Sequence, residues 1–442
     1  MENQAILVRG GVVVPMIARG VWHEADILVA DGRIVAVGRN LTGSFDEELD
    51  ASNALVLPGF VQTHVHVVQT LARHRAEGLP LHRWLAERIW PYEAALSSAE
   101  VAVAARLGIA ELLMGGTTGA LDMGTTHDQD EVFRAADQLG VRLTSGKCLM
   151  DCGDGVPSRL LEDRATALAE TEALGARWHG AANGRLRYAV APRFALSCTE
   201  GLLREAAALA RRHGWLLHTH ASENRSETDA VRRLTGRGNV AYLHDLSISG
   251  TDTVLAHCVH LEDEEVELLA GTGTGVAHCP GANLKLASGI ADLPRLIARD
   301  VRVGLGADGP PCNNRLSIFH EMSLAGTIHN LRSGPQAVDP WTVLEMATWR
   351  GAEVAGFEQV GRLQPGFRAD LVVLSLDTWA MEPVADPAAV IVYGAGMESV
   401  RHVVVNGKLL VRDGRLESGD GGGIRREARA AATAIATRLG WQ

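Results

Sequence analysis

Hydrophobic and polar positions change their rhythm twice along the chain. Up to about residue 57 the apolar residues come in short runs broken by turn residues, AILVRGGVVVP, ADILVADGRIVAVG and ALVLPGF, with Asp31-Gly32 as a two-residue hairpin signal. From about 58 to 361, short β-like runs alternate with Ala/Leu/Arg/Glu-rich segments of helical period, such as SSAEVAVAARLGIAELLMGG and TEGLLREAAALARRHG. That alternation predicts parallel strands joined by crossover helices. The runs GFVQTHVHV, TGALDMG, RLTSGKCLMD, RLRYAVAPRF, WLLHTHASE, DTVLAHC, TGVAHCP and VRVGLGADG supply the eight strands of a (β/α)8 barrel. After residue 362 strand texture returns in GRLQPGFRADLVVLSLD and VRHVVVNGKLLVRDGRL, with Asn406-Gly407 as a second hairpin signal. The expectation is an α/β fold. A TIM barrel over 58–361 stands beside a small composite β-sandwich domain built from 1–57 and 362–415, and a flexible glycine linker and surface helix fill 416–442.

Composition narrows the class. With 46% hydrophobic and 21% charged residues in 442, the chain can bury a large core, which excludes wholesale disorder. The net charge of −11, with lysines and arginines scattered, lacks the electrostatic footprint of a nucleic-acid binder. The six cysteines form no C-x-x-C pair, so a reducing cytoplasm is expected. Neither a leader pattern nor 18 consecutive uncharged apolar residues is present, so neither secretion nor a membrane partner is expected.

Chemistry enters through the 17 histidines. Five of the expected strands end in His or Asp: His64 and His66, His218 and His220, His257, His278, and Asp308. Sites of such barrels lie at the C-terminal strand ends, where these side chains would converge. Composition alone supplies about 0.65 H-x-H pairs, so the two pairs present count for little without that placement. His64 and His66, two apart on a strand, face the same way. Imidazoles with a carboxylate suit Zn²⁺ or Fe²⁺, and an open position lets the metal lower the pKa of water. His74, His82, His127, His179, His213, His244, His260, His320, His329 and His402 are expected at ordinary solvated or satisfied positions.

These residues sit in PGFVQTHVH, HASE, LAHC, AHCPGANLKLASG, GLGADG and GRLQPGFRADLVV, and with them the chain resembles the amidohydrolase superfamily over nearly its whole length. The resemblance implies the barrel with its composite β domain and a metal bound by His64, His66, His220 and Asp308. It implies that Glu223 is the proton shuttle, with Asp308 and His257 as its catalytic companions and His257 orienting the hydroxide. The other reading of Glu223 is an acid at a helix N-terminus, favourable to the dipole and nothing more. Two-metal members carry a lysine at the end of the fourth strand, where RLRYAVAPRF has Arg193. One divalent metal per subunit is therefore expected, zinc first and iron second, in a homodimer or larger homo-oligomer.

Two branches compete for the substrate. GKCLMD, APRFALSCTEGLL and HASENRSETDAV resemble guanine deaminase, and Gln69 fits its pattern. There the residues matching Gln69 and Arg193 hydrogen-bond the purine edge, while Trp84 and Phe194 offer stacking faces. An ion pair for Arg193 and plain core for the two aromatics are the alternatives. LAHCVHL, NLKLASGI and DGPPCNNRLSIFHEMSLA instead resemble methylthioadenosine/S-adenosylhomocysteine deaminases and triazine hydrolases. Glu93 matches a position that holds ribose hydroxyls there, although that branch has a His in place of Arg193. The first expectation is hydrolytic deamination of a small guanine-, oxopurine- or pterin-like heterocycle. An adenosine-type nucleoside deaminase or a triazine hydrolase is the alternative, and a scaffold without activity is disfavoured because every ligand and Glu223 is present.

Overall fold

The computed structural model describes residues 5–335 and 337–441. Eight parallel strands follow one another around a barrel: β1 (Phe60–Val65), β2 (Thr117–Met123), β3 (Arg142–Gly146), β4 (Leu186–Pro192), β5 (Leu216–Ala221), β6 (Thr253–His257), β7 (Gly275–His278) and β8 (Arg302–Leu305). They are the eight runs expected from the sequence. The end of β8 returns to β1, where the Asp308 N–H donates to His64 O at 3.0 Å and Thr63 Oγ1 donates to Leu305 O at 3.1 Å. Every residue of β2 is buried, as expected of parallel strands covered by helices. The third run is interrupted: β3 stops at Gly146, and Cys148–Leu149 pairs separately with β4. A Cβ at position 146 would stand 1.7 Å from Ala189 O, so only glycine allows that close approach.

The outer helices are built from local signals. Helix Glu200–His213 starts at Thr199, whose side chain accepts the Leu202 N–H at 3.3 Å. It buries Leu202, Leu203, Ala206, Ala207 and Ala210 toward the strands and ends at Gly214 with φ 66°.

Both chain ends contribute to one nine-stranded mixed sheet beside the barrel. Its path runs through Arg415–Leu416, Lys408–Arg412, Val400–Val405, Leu371–Ser375, Ala54–Pro58, Ile6–Val13, His23–Ala30 and Arg33–Gly38, with Glu47–Asp50 also paired to Ile6–Val13. Asp31-Gly32 and Asn406-Gly407 are left-handed at both positions, with φ of 51° and 73° and of 49° and 76°, as a type I′ hairpin turn requires. The ends meet where Leu371–Ser375 runs antiparallel to Ala54–Pro58. A buried ion pair ties this sheet to the barrel: Arg142 Nε and Nη2 donate to Asp370 Oδ2 and Oδ1 at 2.7 and 2.9 Å. Asp370 is the acid of GFRADLVV.

The glycine run near the C-terminus is not a linker, because a helix, Gly421–Arg438, begins within it. Ile424, Ala428, Ile435 and Ala436 are buried along one side, and Arg438 donates to Glu100 Oε1 at 2.9 Å. Packing of that apolar stripe outweighs a helix cost of about 1 kcal/mol per glycine. Among the described residues no helix is long and apolar enough to cross a membrane.

Candidate active site

Strand period 2 puts His64 and His66 on one side of β1, and close backbone approach brings Asp308 to them. A Cβ on Gly306 would fall 2.5 Å from His64 O, which explains the glycine in GLGADG. Asp308 itself is left-handed at φ 60°, as is His257 at φ 75°, and such strain gathers where side chains must be aimed. Asp308 Oδ1 lies 3.3 Å from His64 Nε2 and 3.4 Å from His66 Nε2, and His66 Nε2 lies 3.3 Å from His220 Nε2. Ligand atoms of His64, His220, His257 and Asp308 all lie within 4.8 Å of one another.

Each imidazole is anchored through Nδ1 and presents Nε2 to this centre. His66 Nδ1 meets Met123 O at 3.0 Å, His220 Nδ1 meets Arg193 O at 2.6 Å, and His257 Nδ1 meets Asn283 Oδ1 at 2.8 Å. His64 Nδ1 meets His218 Nε2 at 3.0 Å. Hydrogen bonds of this kind fix the ring and tautomer of metal-binding histidines. His64 Nε2 and His257 Nε2 are buried with no hydrogen-bond partner among the described residues, which suits a cation between them. Burial pushes His64, His218 and His220 below the ordinary imidazole range and His66 down to about 3, leaving neutral rings, as metal binding by His64, His66 and His220 requires. Burial alone would raise the Asp308 carboxyl, but the imidazoles around it, His64 first, hold it well below the usual range. Three histidines and an aspartate thus form a metal site fit for Zn²⁺.

Glu223 follows β5, and its Oε2 lies 3.7 Å from His257 Nε2. Burial, then the charges of Asp308 and Glu227, push its carboxyl well above the usual range, which equips it to hold a proton near neutral pH. It precedes Asn224, the N-cap of helix Arg225–Thr235, so the acid inside the first turn is Glu227 instead.

A narrow cleft opens above the centre, lined by Gln69, Trp84, Arg193 and Phe194 as well as His66, His220, Glu223, His257 and Asp308. Trp84 and Phe194 belong at the same time to an apolar cluster with Leu81, Leu85, Met150 and Leu160. Glu93 sits behind the wall: its Oε1 accepts from Gln69 Nε2 at 2.9 Å and its Oε2 from Arg193 Nη1 at 2.6 Å. The helical stretch that carries Trp84 and Glu93 widens into a π turn over Leu85–Ile89, just ahead of Pro91, which has no N–H to donate.

All eleven site residues read from the sequence therefore gather around one cleft or its wall. Of the two other strand-end histidines, His218 stands behind His64, and His278 does not join them; its ring lies 5.6 Å from that of His329. Lys147, fully buried, is bound to Glu162 and Glu170 at 2.8 Å each and is no ligand. Sequence reasoning missed His218, Asn283 and Glu227 as supports, although all three lie in motifs already marked. It also missed Cys312, in the marked run DGPPCNNRLSIFHEMSLA, whose thiol donates to Asp308 Oδ2 at 3.1 Å.

Residues 55–410 match the amidohydrolase family. The chain is 38% identical to the 5-methylthioadenosine/S-adenosylhomocysteine deaminase of Haloarcula marismortui, over 95% of this chain and 96% of that one. It is 37% identical to the 5′-deoxyadenosine deaminase of Methanothermobacter thermautotrophicus, over 94% and 95% of the two chains. The crystal structure of an adenosine deaminase from Xanthomonas campestris with bound zinc superposes with a TM-score of 0.92 at 28% identity, over 98% of each chain.

Proposed function

The chain belongs to the amidohydrolase family, and from that premise we propose that this metal-dependent aminohydrolase removes the amino group of a 5′-substituted adenosine. The observation that carries the reading is full-length similarity, at 38% and 37% identity, to two deaminases whose names specify such nucleosides. It moves the alternative drawn from the sequence ahead of the oxo-heterocycle expected first.

His64, His66, His220 and Asp308 would hold one divalent ion, with the His257 ring facing the same centre. When bound, the ion supplies Lewis-acid activation of water. Glu223 takes one proton of the attacking water at its carboxylate and passes it to the ring nitrogen next to the amine-bearing carbon; it then takes the second proton from the hydroxyl added to that carbon and passes it to the amine, which leaves as ammonia while the carbonyl forms. His257 Nε2, 3.8 Å from Asp308 Oδ2, orients the water and steadies the developing oxyanion. Trp84, Phe194, Leu81 and Leu85 keep bulk water from the ring. Gln69 Oε1, buried and without a hydrogen-bond partner among the described residues, is left to accept from the substrate. Glu93 Oε2 keeps a lone pair beyond its bond to Arg193, which supports a role in holding a ribose hydroxyl.

Arg193 favours a second reading, because a guanidinium at the cleft wall suits the ring carbonyl of an oxopurine or pterin. Ammonia release from methylthioadenosine, S-adenosylhomocysteine, 5′-deoxyadenosine and adenosine, run beside guanine, 8-oxoguanine and isoxanthopterin, separates the two. The nucleosides are expected to lead in kcat/KM by at least about 100-fold. Rapid turnover of an oxo-heterocycle with none of any nucleoside overturns the reading, and release of chloride or an alkylamine from a triazine moves the protein to that branch.

A further inference from the structure

The loop carrying Glu223 is held by a second carboxylate. Glu227 is 1% exposed, and its Oε2 accepts the Glu223 N–H at 2.7 Å and the Asn224 N–H at 3.4 Å, while its Oε1 accepts Asn239 Nδ2 at 2.7 Å. At the third position of helix Arg225–Thr235, Glu227 completes a capping box with Asn224. Two other helices allow a comparison within the molecule. Glu100 accepts from the N-cap Ser97 N–H at 2.9 Å, and Glu265 accepts from the N-cap Glu262 N–H at 2.9 Å. In both, the bond from the N-cap is short, and at Glu265 the other oxygen also accepts the Val240 N–H at 2.8 Å. At Glu227 the N-cap bond is the long one, and the short bond reaches one residue further back, to Glu223. Helix capping does not require it.

Glu223 depends on that bond, because its own carboxylate meets His257 Nε2 only at 3.7 Å, outside hydrogen-bond distance. Its backbone is fixed from the other side as well. Ser222 is left-handed at φ 53°, and its carbonyl accepts the Val259 and His260 N–H groups at 2.9 and 3.0 Å, lacing the Glu223 loop to the loop after His257. We infer that Glu227, seated by Asn239, is a positioning residue that aims the Glu223 carboxylate at the reacting atoms. The inference rests on Glu223 being the proton-transfer group of the proposed function.

Kinetics separate aiming from capping. With methylthioadenosine, or whichever heterocycle of the panel turns over, kcat and KM are measured per bound metal for Glu227→Ala, Glu227→Gln, Asn239→Ala, Glu223→Gln and the Glu223→Gln/Glu227→Ala pair. Misplacement by an ångström costs about 100-fold, so Glu227→Ala is expected to lower kcat by that order, with KM and metal content unchanged. Glu227→Gln keeps an acceptor for the Glu223 N–H, and its NH₂ can donate to Asn239 Oδ1, which has no partner among the described residues; it stays within about fivefold of the parent. Asn239→Ala loses about tenfold and carries the test if Glu227→Ala does not fold. In the Glu223→Gln background, Glu227→Ala costs less than about threefold, because nothing is left to aim. Glu100→Ala, a cap remote from the cleft, lowers Tm and leaves kcat alone. Full additivity in the pair, or parental kcat in Glu227→Ala, overturns this inference alone; parental kcat in Glu223→Gln overturns the shuttle reading and this inference with it.

Discussion

Arg193 at the wall of the cleft and Glu93 behind it form a buried ion pair, with Nη1 at 2.6 Å from Oε2 and Nη2 at 3.3 Å from Oε1. Removing one partner leaves the other charge buried and unpaired, which costs about 3–5 kcal/mol. Arg193→Met is therefore expected to lower Tm and raise KM together. The Arg193→Met/Glu93→Gln pair should regain most of the stability but not the KM, measured by thermal unfolding and steady-state kinetics. Unchanged Tm in Arg193→Met would mean that the pair is not formed in solution.

Glu223→Gln keeps the shape of the side chain and removes its proton-transfer capacity. A fall in kcat of about 100- to 10,000-fold is expected, with metal content and Tm unchanged. Elemental analysis alongside the rates checks that the loss is chemical.

Chelation should abolish activity and lower Tm, since a ligand that binds only the folded state stabilises it. Zinc should restore both at one equivalent per chain. A requirement for a second equivalent would contradict a single-ion centre.

His278 predicts an acid-limb effect. Burial, then the neighbouring His329 and His257, push its imidazole from 6.5 down to about 3, so the unfolded chain binds the proton first. Its stabilising effect is complete above pH 6.5 and is lost as pH falls from there toward 3, amounting to about 2 kcal/mol between pH 7 and 5. Neither ring nitrogen of His278 has a hydrogen-bond partner among the described residues, so His278→Leu removes no bond there. The variant should lose less Tm than the parent between pH 7 and 5, and parallel curves would exclude the effect.

Asp370 joins Arg142 of the barrel to the flanking sheet and also accepts the Asn406 N–H at 2.7 Å. Asp370→Ala strands the Arg142 charge and should cost about 3–5 kcal/mol. At low temperature kcat should stay near the parental value, because the pair lies away from the cleft.

Much of this protein was legible in its residues. The eight strands, the two type I′ turns and the gathering of His64, His66, His220, His257 and Asp308 follow from local patterns: a period of 2, a turn dipeptide, and a barrel that collects strand ends at one mouth. Those signals need only neighbouring residues to be read. Tertiary structure decided the rest. It directed His278 toward His329 rather than the metal centre, engaged Arg193 with Glu93 a hundred positions away, and set His218 behind His64 across 154 residues. It also turned a glycine run into the start of a helix by offering its apolar side a surface to bury. These outcomes depend on which side chains meet after the chain closes, and contacts between distant residues leave no periodic trace in the sequence.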